Sequence, residues 1–326
     1  RTTMGAVAQT DQAIVNEAHR LGLIVPSKSY DDDVISAAGA YVAVPDKGMH
    51  KWIGSMDLNS LYPSILRSCN MSTETIVGQV RHTITNEMLS GYKSVSDAWD
   101  GKFATPEYEL VMERDKVTML QVDFEDDTTF EATGAEIYDI IFLGGMPWIF
   151  SANATIFSYE MKVVIPGLLE RWYAERKELQ AKARAARDEG GDKFAFWDKR
   201  QLVKKINLNS LYGALLNPGS RFFDSRLGQS TTLTGRCIAR HMSGAVNEAI
   251  TGEFHYKGDS IIYGDTDSVY FSAYPILKDQ IDSGEIKWDK DNAIAYYDAV
   301  CEAANETFPA YMNTAHNCPG ELGSII

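Results

Sequence analysis

Cysteine is scarce: Cys69, Cys237, Cys301 and Cys318 are the only four in 326 residues, they stand far apart, and no CxxC pair occurs. That spacing excludes a disulfide framework and a structural zinc site and points to a reducing compartment. Long apolar runs are lacking too. The most apolar stretch, residues 137–150, is interrupted by Asp139, Gly144, Gly145 and Pro147, so it is too short and too broken to span a bilayer. There is no internal repeat and no low-complexity tract. With 44% hydrophobic and 23% charged residues, the composition excludes a disordered tail or a collagenous repeat. The sequence opens at Arg1 without an initiator methionine or a secretory pattern, and is therefore expected to be a fragment or an internal piece.

Positive charge is also in short supply. The chain has 31 Lys/Arg against 45 Asp/Glu, a net charge of -14, which at first sight opposes a nucleic-acid partner. The deficit is uneven. Residues 171–240 hold 15 Lys/Arg and 7 Asp/Glu, which leaves 16 basic and 38 acidic residues for the rest. A basic middle in an acidic body suits phosphate binding, and it equally suits a solvated helical surface laced with ion pairs.

The first ~25 residues follow a helical pattern that Pro26 ends, and Asp31, Asp32 and Asp33 mark a loop. Residues 41–58 look extended, broken by a turn at 45–48, and residues 60–70 turn helical after Pro63, a suitable first-turn residue. Residues 72–150 are irregular, with strand-like runs at 116–124 and 136–143. The clearest helix spans 158–187, and a second spans 194–216. A short Gly-containing turn joins them, which predicts an antiparallel helical hairpin. A further helix is expected over 231–250, then two strand-like runs over 260–272.

Three constellations carry chemistry. In Met56-Asp57-Leu58-Asn59-Ser60-Leu61-Tyr62-Pro63-Ser64, a carboxylate ends a strand and a tight turn enters a helix. That arrangement suits Mg²⁺, although an aspartate in this place also serves as a helix cap. In Tyr263-Gly264-Asp265-Thr266-Asp267-Ser268, two carboxylates two residues apart on a hairpin share a face. A cation is their natural partner, and an ordinary Asp-rich turn is the plain alternative. On the second hairpin helix, Lys205, Asn209 and Tyr212 fall on one face and offer a cation, an amide and an aromatic plane. On the facing helix Arg176, Gln180, Arg184 and Arg187 share a face, which solvent exposure alone would also explain.

Together these segments have a family signature. Asp-x-x-Ser-Leu-Tyr-Pro-Ser, Lys-x-x-x-Asn-Ser-x-Tyr-Gly and Tyr-Gly-Asp-Thr-Asp-Ser, in that order, resemble motifs A, B and C of the family B DNA polymerases. Asn70-Met71-Ser72-Thr73-Glu74-Thr75-Ile76 is similar to the replicative polymerases of T-even-like tailed phages. The resemblance spans residues 39–326, dense at the motifs and thin over 77–150.

At matching positions the resemblance implies roles. Asp57 and Asp267 take the places of carboxylates that hold two Mg²⁺ ions, with the Leu58 carbonyl as a backbone ligand. Asp265 takes the place of a further catalytic carboxylate, less directly bound. Ser60, Leu61 and Tyr62 match nucleotide-binding positions, the Tyr62 ring packing under the sugar and excluding a 2′-hydroxyl. Lys205 matches the lysine on the incoming triphosphate, able to donate a proton to the leaving group. Asn209 and Tyr212 match residues lining the nascent base pair, with Gly213 beside them on the template side. Arg176 matches the arginine of an Arg-x-x-x-Lys pattern that grips the distal phosphates. The lysine of that pattern is replaced by Gln180, and Lys182 is the nearest cation.

The implied fold class is α+β: an antiparallel palm sheet backed by helices, with a helical-hairpin fingers module. Residues 1–50 form a lead-in, 51–157 the first part of the palm with an insertion, 158–217 the fingers and 218–326 the second part of the palm. The proofreading exonuclease and the thumb have no place in these residues. Asp123-Phe124-Glu125 mimics an exonuclease Asp-x-Glu but lies between motifs A and B without partner motifs, so it reads as a strand with surface carboxylates. The implied activity is template-directed addition of deoxynucleotides to a primer 3′-hydroxyl by two-metal phosphoryl transfer, the ions ~3.5–4 Å apart. Primer-template DNA and dNTP are the implied partners, with a second chain supplying thumb and exonuclease if the protein is split. A sliding clamp is compatible but has no readable signature, and a phage-encoded enzyme would work in the host cytoplasm. The rival reading is a non-catalytic palm-fold DNA-binding or scaffold subunit, against which the presence of Asp57, Asp265 and Asp267 argues. An RNA-synthesising palm enzyme is opposed by the bulky Tyr62.

Overall fold

Helical spacing of apolar residues opens the chain. The computed structural model describes residues 5–25, 27, 39–80, 119–160, 163–189 and 192–326. Helix α1 (Ala6–Arg20) buries Thr10, Ile14, Glu17 and Ala18, a three- and four-residue spacing that defines one face. The aspartates at 31–33 lie outside the described residues. Strand β1 (Gly54–Asp57) alternates, with Met56 buried and Ser55 and Asp57 exposed. Helix α2 (Leu61–Ser68) follows at once. Ser60 takes a left-handed conformation with φ 57°, so the helix starts two residues ahead of Pro63.

A second sheet then forms from β2 (Ile76–Val80), β3 (Met119–Phe124), β4 (Thr129–Thr133), β5 (Trp148–Phe150) and β6 (Thr155–Ser158), in the order β4-β3-β2-β6-β5 and antiparallel throughout. The strand expected over 136–143 is absent. Residues Gly134–Tyr138 form helix α3, and Asp139–Leu143 continue it as a π-helical turn. The cause is a capping box: the Glu136 N–H donates to Thr133 Oγ1 at 3.3 Å while the Thr133 N–H donates to Glu136 Oε2 at 2.8 Å. Ile137, Tyr138 and Ile141 then bury one helical face, whatever the β-propensity of the Ile-Ile-Phe run.

The predicted hairpin consists of α4 (Val164–Glu189) and α5 (Asp192–Leu215). It begins six residues later than expected because residues 155–158 are spent on β6. Helix α6 (Ser225–Thr251) begins six residues earlier than expected, since the Asp224 carboxylate accepts from the Arg226 N–H at 2.8 Å and caps it. This helix is buried along most of its length. Strands β7 (Ile261–Asp265) and β8 (Ser268–Phe271) form the expected hairpin, and β8 pairs with β1 to give a three-stranded antiparallel sheet in the order β1-β8-β7. Met56 lies opposite Val269, and both are buried; Asp57 lies opposite Ser268 on the other face. The N–H groups of Ala43 and Asp46 donate to the Gly264 and Ile262 carbonyls, so residues 41–46 run along the outer edge of β7. Helices α7 (Tyr274–Asp282), α8 (Lys290–His316) and α9 (Gly320–Gly323) complete the chain, α8 packing beside α6 through Phe308 and Tyr311, both against His241. The architecture is α+β, with antiparallel sheets backed by helices and a long helical hairpin. No helix among the described residues is long and apolar enough to cross a membrane.

Candidate active site

Two tight turns meet at the end of the three-stranded sheet. β1 ends at Asp57, and the next N–H, that of Leu58, donates to the Asp267 carbonyl at 2.7 Å. In the facing turn Thr266 is left-handed, with φ 57°, and the Asp267 N–H donates to the Asp265 carbonyl at 2.6 Å. Register and turn together bring Asp57 and Asp267 to one cavity of about 360 Å³, within the range of small-ligand pockets.

Asp265 does not join them there. The two-residue spacing predicts a shared face only while the chain is extended, and Asp267 belongs to the turn rather than to a strand. Asp265 instead ends β7, exposed, where its carboxylate accepts from the Thr266 hydroxyl at 2.9 Å and the Tyr263 hydroxyl at 3.3 Å. It still acts at short range. Burial raises the Asp267 carboxyl above the usual aspartate value, the charges of Asp57 and Asp265 add to that, and Lys205 opposes it.

The facing wall comes from the hairpin. Arg176 of α4 and Lys205 and Asn209 of α5 line the cavity. Arg176 Nε donates to Gln201 Oε1 at 3.5 Å. Tyr212 does not line the cavity as the shared helical face predicts. Its ring lies 4.4 Å from that of Tyr62, which does, and its hydroxyl is hydrogen-bonded to Thr232. Gly213 is exposed on α5, also off the cavity. Of the arginine-bearing face of α4 only Arg176 reaches the site. Arg187 lies over the Phe194 ring at 5.6 Å, Lys182 over Trp197 at 5.2 Å, and Gln180 is not in the lining.

Ser60, Leu61 and Tyr62 bring the start of α2 to the cavity. The Leu61 and Tyr62 N–H groups belong to a first turn, which has no intrahelical acceptors, and such a turn favours an anion. Tyr62 is wedged: burial raises its phenol pKa, helped by Tyr212 and the charge of Asp267, so the hydroxyl stays neutral. Beneath it, Gly235 of α6 is so close that a Cβ there would lie 3.0 Å from Tyr62 Cε1. Sequence reasoning missed Gly235, which stands far from every motif, and gave no role to Asn59, whose side-chain amide donates to the Tyr173 hydroxyl at 3.2 Å. The Asp123-Phe124-Glu125 segment is a strand end, with Glu125, just past β3, paired to Arg226 of α6.

The donor set fits a hard divalent cation. Asp57 and Asp267 are carboxylates close enough for one to raise the pKa of the other, and both open on a polar cavity. Among the described residues no group of three or more His, Cys, Asp or Glu side chains gathers into a metal cage. Two carboxylates with space for water and substrate oxygens is the arrangement Mg²⁺ favours over an all-protein cage.

Residues 3–281 match the pattern of DNA polymerase family B, which is most of the chain, and the chain belongs to that family. Members of the family use Mg²⁺. The DNA-directed DNA polymerase of Escherichia phage RB69 is 28% identical over 305 residues, covering 86% of this chain and 31% of that enzyme. That of Enterobacteria phage T4 is 29% identical over 252 residues, covering 74% of this chain and 27% of its own. The DNA polymerase of Trichoplusia ni ascovirus 2c is 22% identical over 308 residues, with 76% and 29% covered. The chain thus spans less than a third of the length of these relatives.

Proposed function

We propose that this chain is the palm and fingers of a template-directed DNA polymerase, adding deoxynucleotides to a primer 3′-hydroxyl. The single observation that carries the reading is the convergence of Asp57 and Asp267, from two hydrogen-bonded turns, on a cavity whose other wall presents Arg176, Lys205 and Asn209. In this reading residues 51–157 and 218–326 are the palm and 158–217 the fingers, with residues 1–50 leading in.

Asp57 and Asp267, with the Leu58 carbonyl, would hold two Mg²⁺. When bound, these ions activate the attacking hydroxyl and neutralise the leaving pyrophosphate. The protein's own part is positioning and charge. Arg176 and Lys205 offset the triphosphate's negative charge from the hairpin side. Lys205 Nζ holds a proton that can pass to the departing pyrophosphate oxygen. Asn209 offers an amide beside the nucleotide. The α2 N-terminus at Leu61 and Tyr62 presents N–H groups to phosphate. The Tyr62 ring, backed by Tyr212 and by the bare face of Gly235, stands where a 2′-hydroxyl would collide. Asp265 adds negative charge behind Asp267 and shapes its turn.

Primer extension in the full chain tests this. Asp57→Ala and Asp267→Ala should each abolish nucleotide incorporation while leaving the fold intact. Near-parental rates in either variant would overturn the two-metal assignment. Primer-template binding without incorporation by the parent would favour the scaffold reading.

A further inference from the structure

Glu17 is a charged side chain that the proposed reaction does not use, yet it is 1% exposed. Carboxylates are rarely buried unless paired, and this one is paired twice. Arg20, one turn further along α1, reaches Glu17 Oε1 at 2.6 Å, and Arg171 of α4 reaches Oε2 at 2.6 Å. The hydrogen bond from Arg20 holds the Glu17 carboxyl below its ordinary value, with the charge of Arg171 adding to it against the cost of burial. Gly167, one turn before Arg171 on α4, also lies beside the carboxylate; a Cβ there would make an ordinary contact with Glu17 Oε1 at 4.0 Å.

The first half of α1 is tied as well. Asp11 accepts from the Ser220 hydroxyl at 2.6 Å and from the Arg221 N–H at 3.0 Å. Ser220 and Arg221 lie in the turn just after α5. One short helix therefore clasps the base of both arms of the hairpin: α4 through Glu17 and Arg171, and the exit of α5 through Asp11. Arg171 is five residues before Arg176 on a continuous helix, ~7.5 Å along its axis, so a rotation of α4 at Arg171 carries Arg176 with it. The joint is not packed solid. A cavity of about 650 Å³, walled by Glu17, Arg20, Arg67, Glu170 and Glu321, lies beside the ion pair and leaves room for the arm to tilt.

We propose that α1 is a brace that fixes the angle of the α4–α5 hairpin against the three-stranded sheet, with Glu17 and Asp11 as positioning residues for Arg176, Lys205 and Asn209. Its kinetic consequence rests on the polymerase reading; its structural consequence does not. Glu17→Gln keeps the shape and removes the charge that holds Arg171. Expected is a rise of about tenfold in KM for dNTP, with kcat and primer-template affinity held within about twofold, because a grip on the nucleotide is lost rather than the chemistry. Arg171→Gln should do the same, and the double variant no more than either single one, as expected for a pair acting as a unit. A merely structural role would instead lower kcat and weaken primer-template binding along with any change in KM.

The second measurement ignores activity. Spin labels at Arg184→Cys and Glu302→Cys, both exposed positions, report the distance from hairpin to body. Glu17→Gln should broaden that distance distribution, and Asp11→Asn should do so independently should Glu17→Gln fold poorly. Unchanged distributions in both variants would overturn the brace, as would an unchanged KM in a folded Glu17→Gln protein. If the parent incorporates no nucleotide even when a thumb-bearing chain is supplied, the polymerase reading fails and the label distances still decide the brace.

Discussion

Gly235→Ala puts one methyl group where the structure has least room beside the cavity. Gly235 lies within α6, where alanine gains about 1 kcal/mol of helix propensity over glycine. The new Cβ would stand 3.0 Å from Tyr62 Cε1, 3.3 Å from Ile65 Cδ1 and 3.6 Å from Tyr62 Cδ1. Overpacking of this kind costs about 1–3 kcal/mol. The two effects leave a net loss of about 0–2 kcal/mol, a fall in Tm of less than about 8 °C for a chain of this size. Which neighbour yields is decided by burial. Ile65 is fully buried and cannot retreat, whereas Tyr62 is half-buried and borders the cavity. The ring should therefore move a few tenths of an ångström toward the nucleotide. Thermal melts should show a near-neutral variant, and single-nucleotide incorporation should show a raised KM for dNTP with still stronger rejection of ribonucleotides. A variant stabilised by the whole propensity gain, with both nucleotide KM values unchanged, would refute the contact and with it the supporting role given to α6.

Two further outcomes follow from the same geometry. Tyr62→Ala removes the ring and should leave dNTP addition partly intact while greatly raising ribonucleotide incorporation; equal discrimination by parent and variant would place the sugar gate elsewhere. Glu17 should make stability depend on pH in the acid range: its folded carboxyl lies below the ordinary 4.5, so its contribution is complete above that value and is lost as pH falls through the lowered one. The charged groups facing it are Arg20, Arg171 and, across the cavity, Arg67, Glu170 and Glu321. The Tm difference between parent and Glu17→Gln should shrink on acidification, and a constant difference from neutral pH to about pH 3 would contradict the pairing.

Much of the site was legible because its chemistry is local. Asp57 with the turn after it, Lys205 with Asn209, and the Thr266–Asp267 turn each lie within a few residues, so spacing and residue type were enough to single them out. The family resemblance then supplied what spacing cannot, namely that three distant segments meet. What escaped depends on long-range packing. Gly235 becomes informative only once α6 lies against Tyr62. Glu17 and Asp11 read as ordinary polar residues of an amphipathic helix until Arg171 and Ser220 are seen to face them. The misread segment at 136–143 has a different cause. Its Ile-rich run satisfies a strand template, but Thr133 and Glu136 start a helix just before it, and the cap wins because it satisfies backbone donors that a strand end would leave open. The separation of Asp265 from Asp267 has a third cause, since alternation fails at the first residue of a turn.

Charge is where sequence and structure part most usefully, and Arg226 tests the difference. Counted along the chain, it belongs to the basic segment at 171–240 that suits phosphate. In the fold it is already spent. Its guanidinium is bound to Glu125 at the end of β3 and, at 2.8 Å, to Asp224, the residue that caps α6, with 30% of its side chain exposed. A cation so held releases no counterions when DNA binds, whereas each engaged phosphate contact adds about 0.9 to the slope of log K against log salt. Arg226→Ala should therefore leave the salt dependence of primer-template binding unchanged. Its effect should fall on stability instead. It would strip the partner from two carboxylates and remove one of several ties between the five-stranded sheet and α6, a cost between that of an exposed and a buried pair, about 1–2 kcal/mol. Binding measured at several salt concentrations, alongside thermal melts, separates the two. A slope reduced by about one unit with an unchanged Tm would mean that Arg226 leaves its carboxylates for phosphate, and that the basic segment acts as its composition alone suggests.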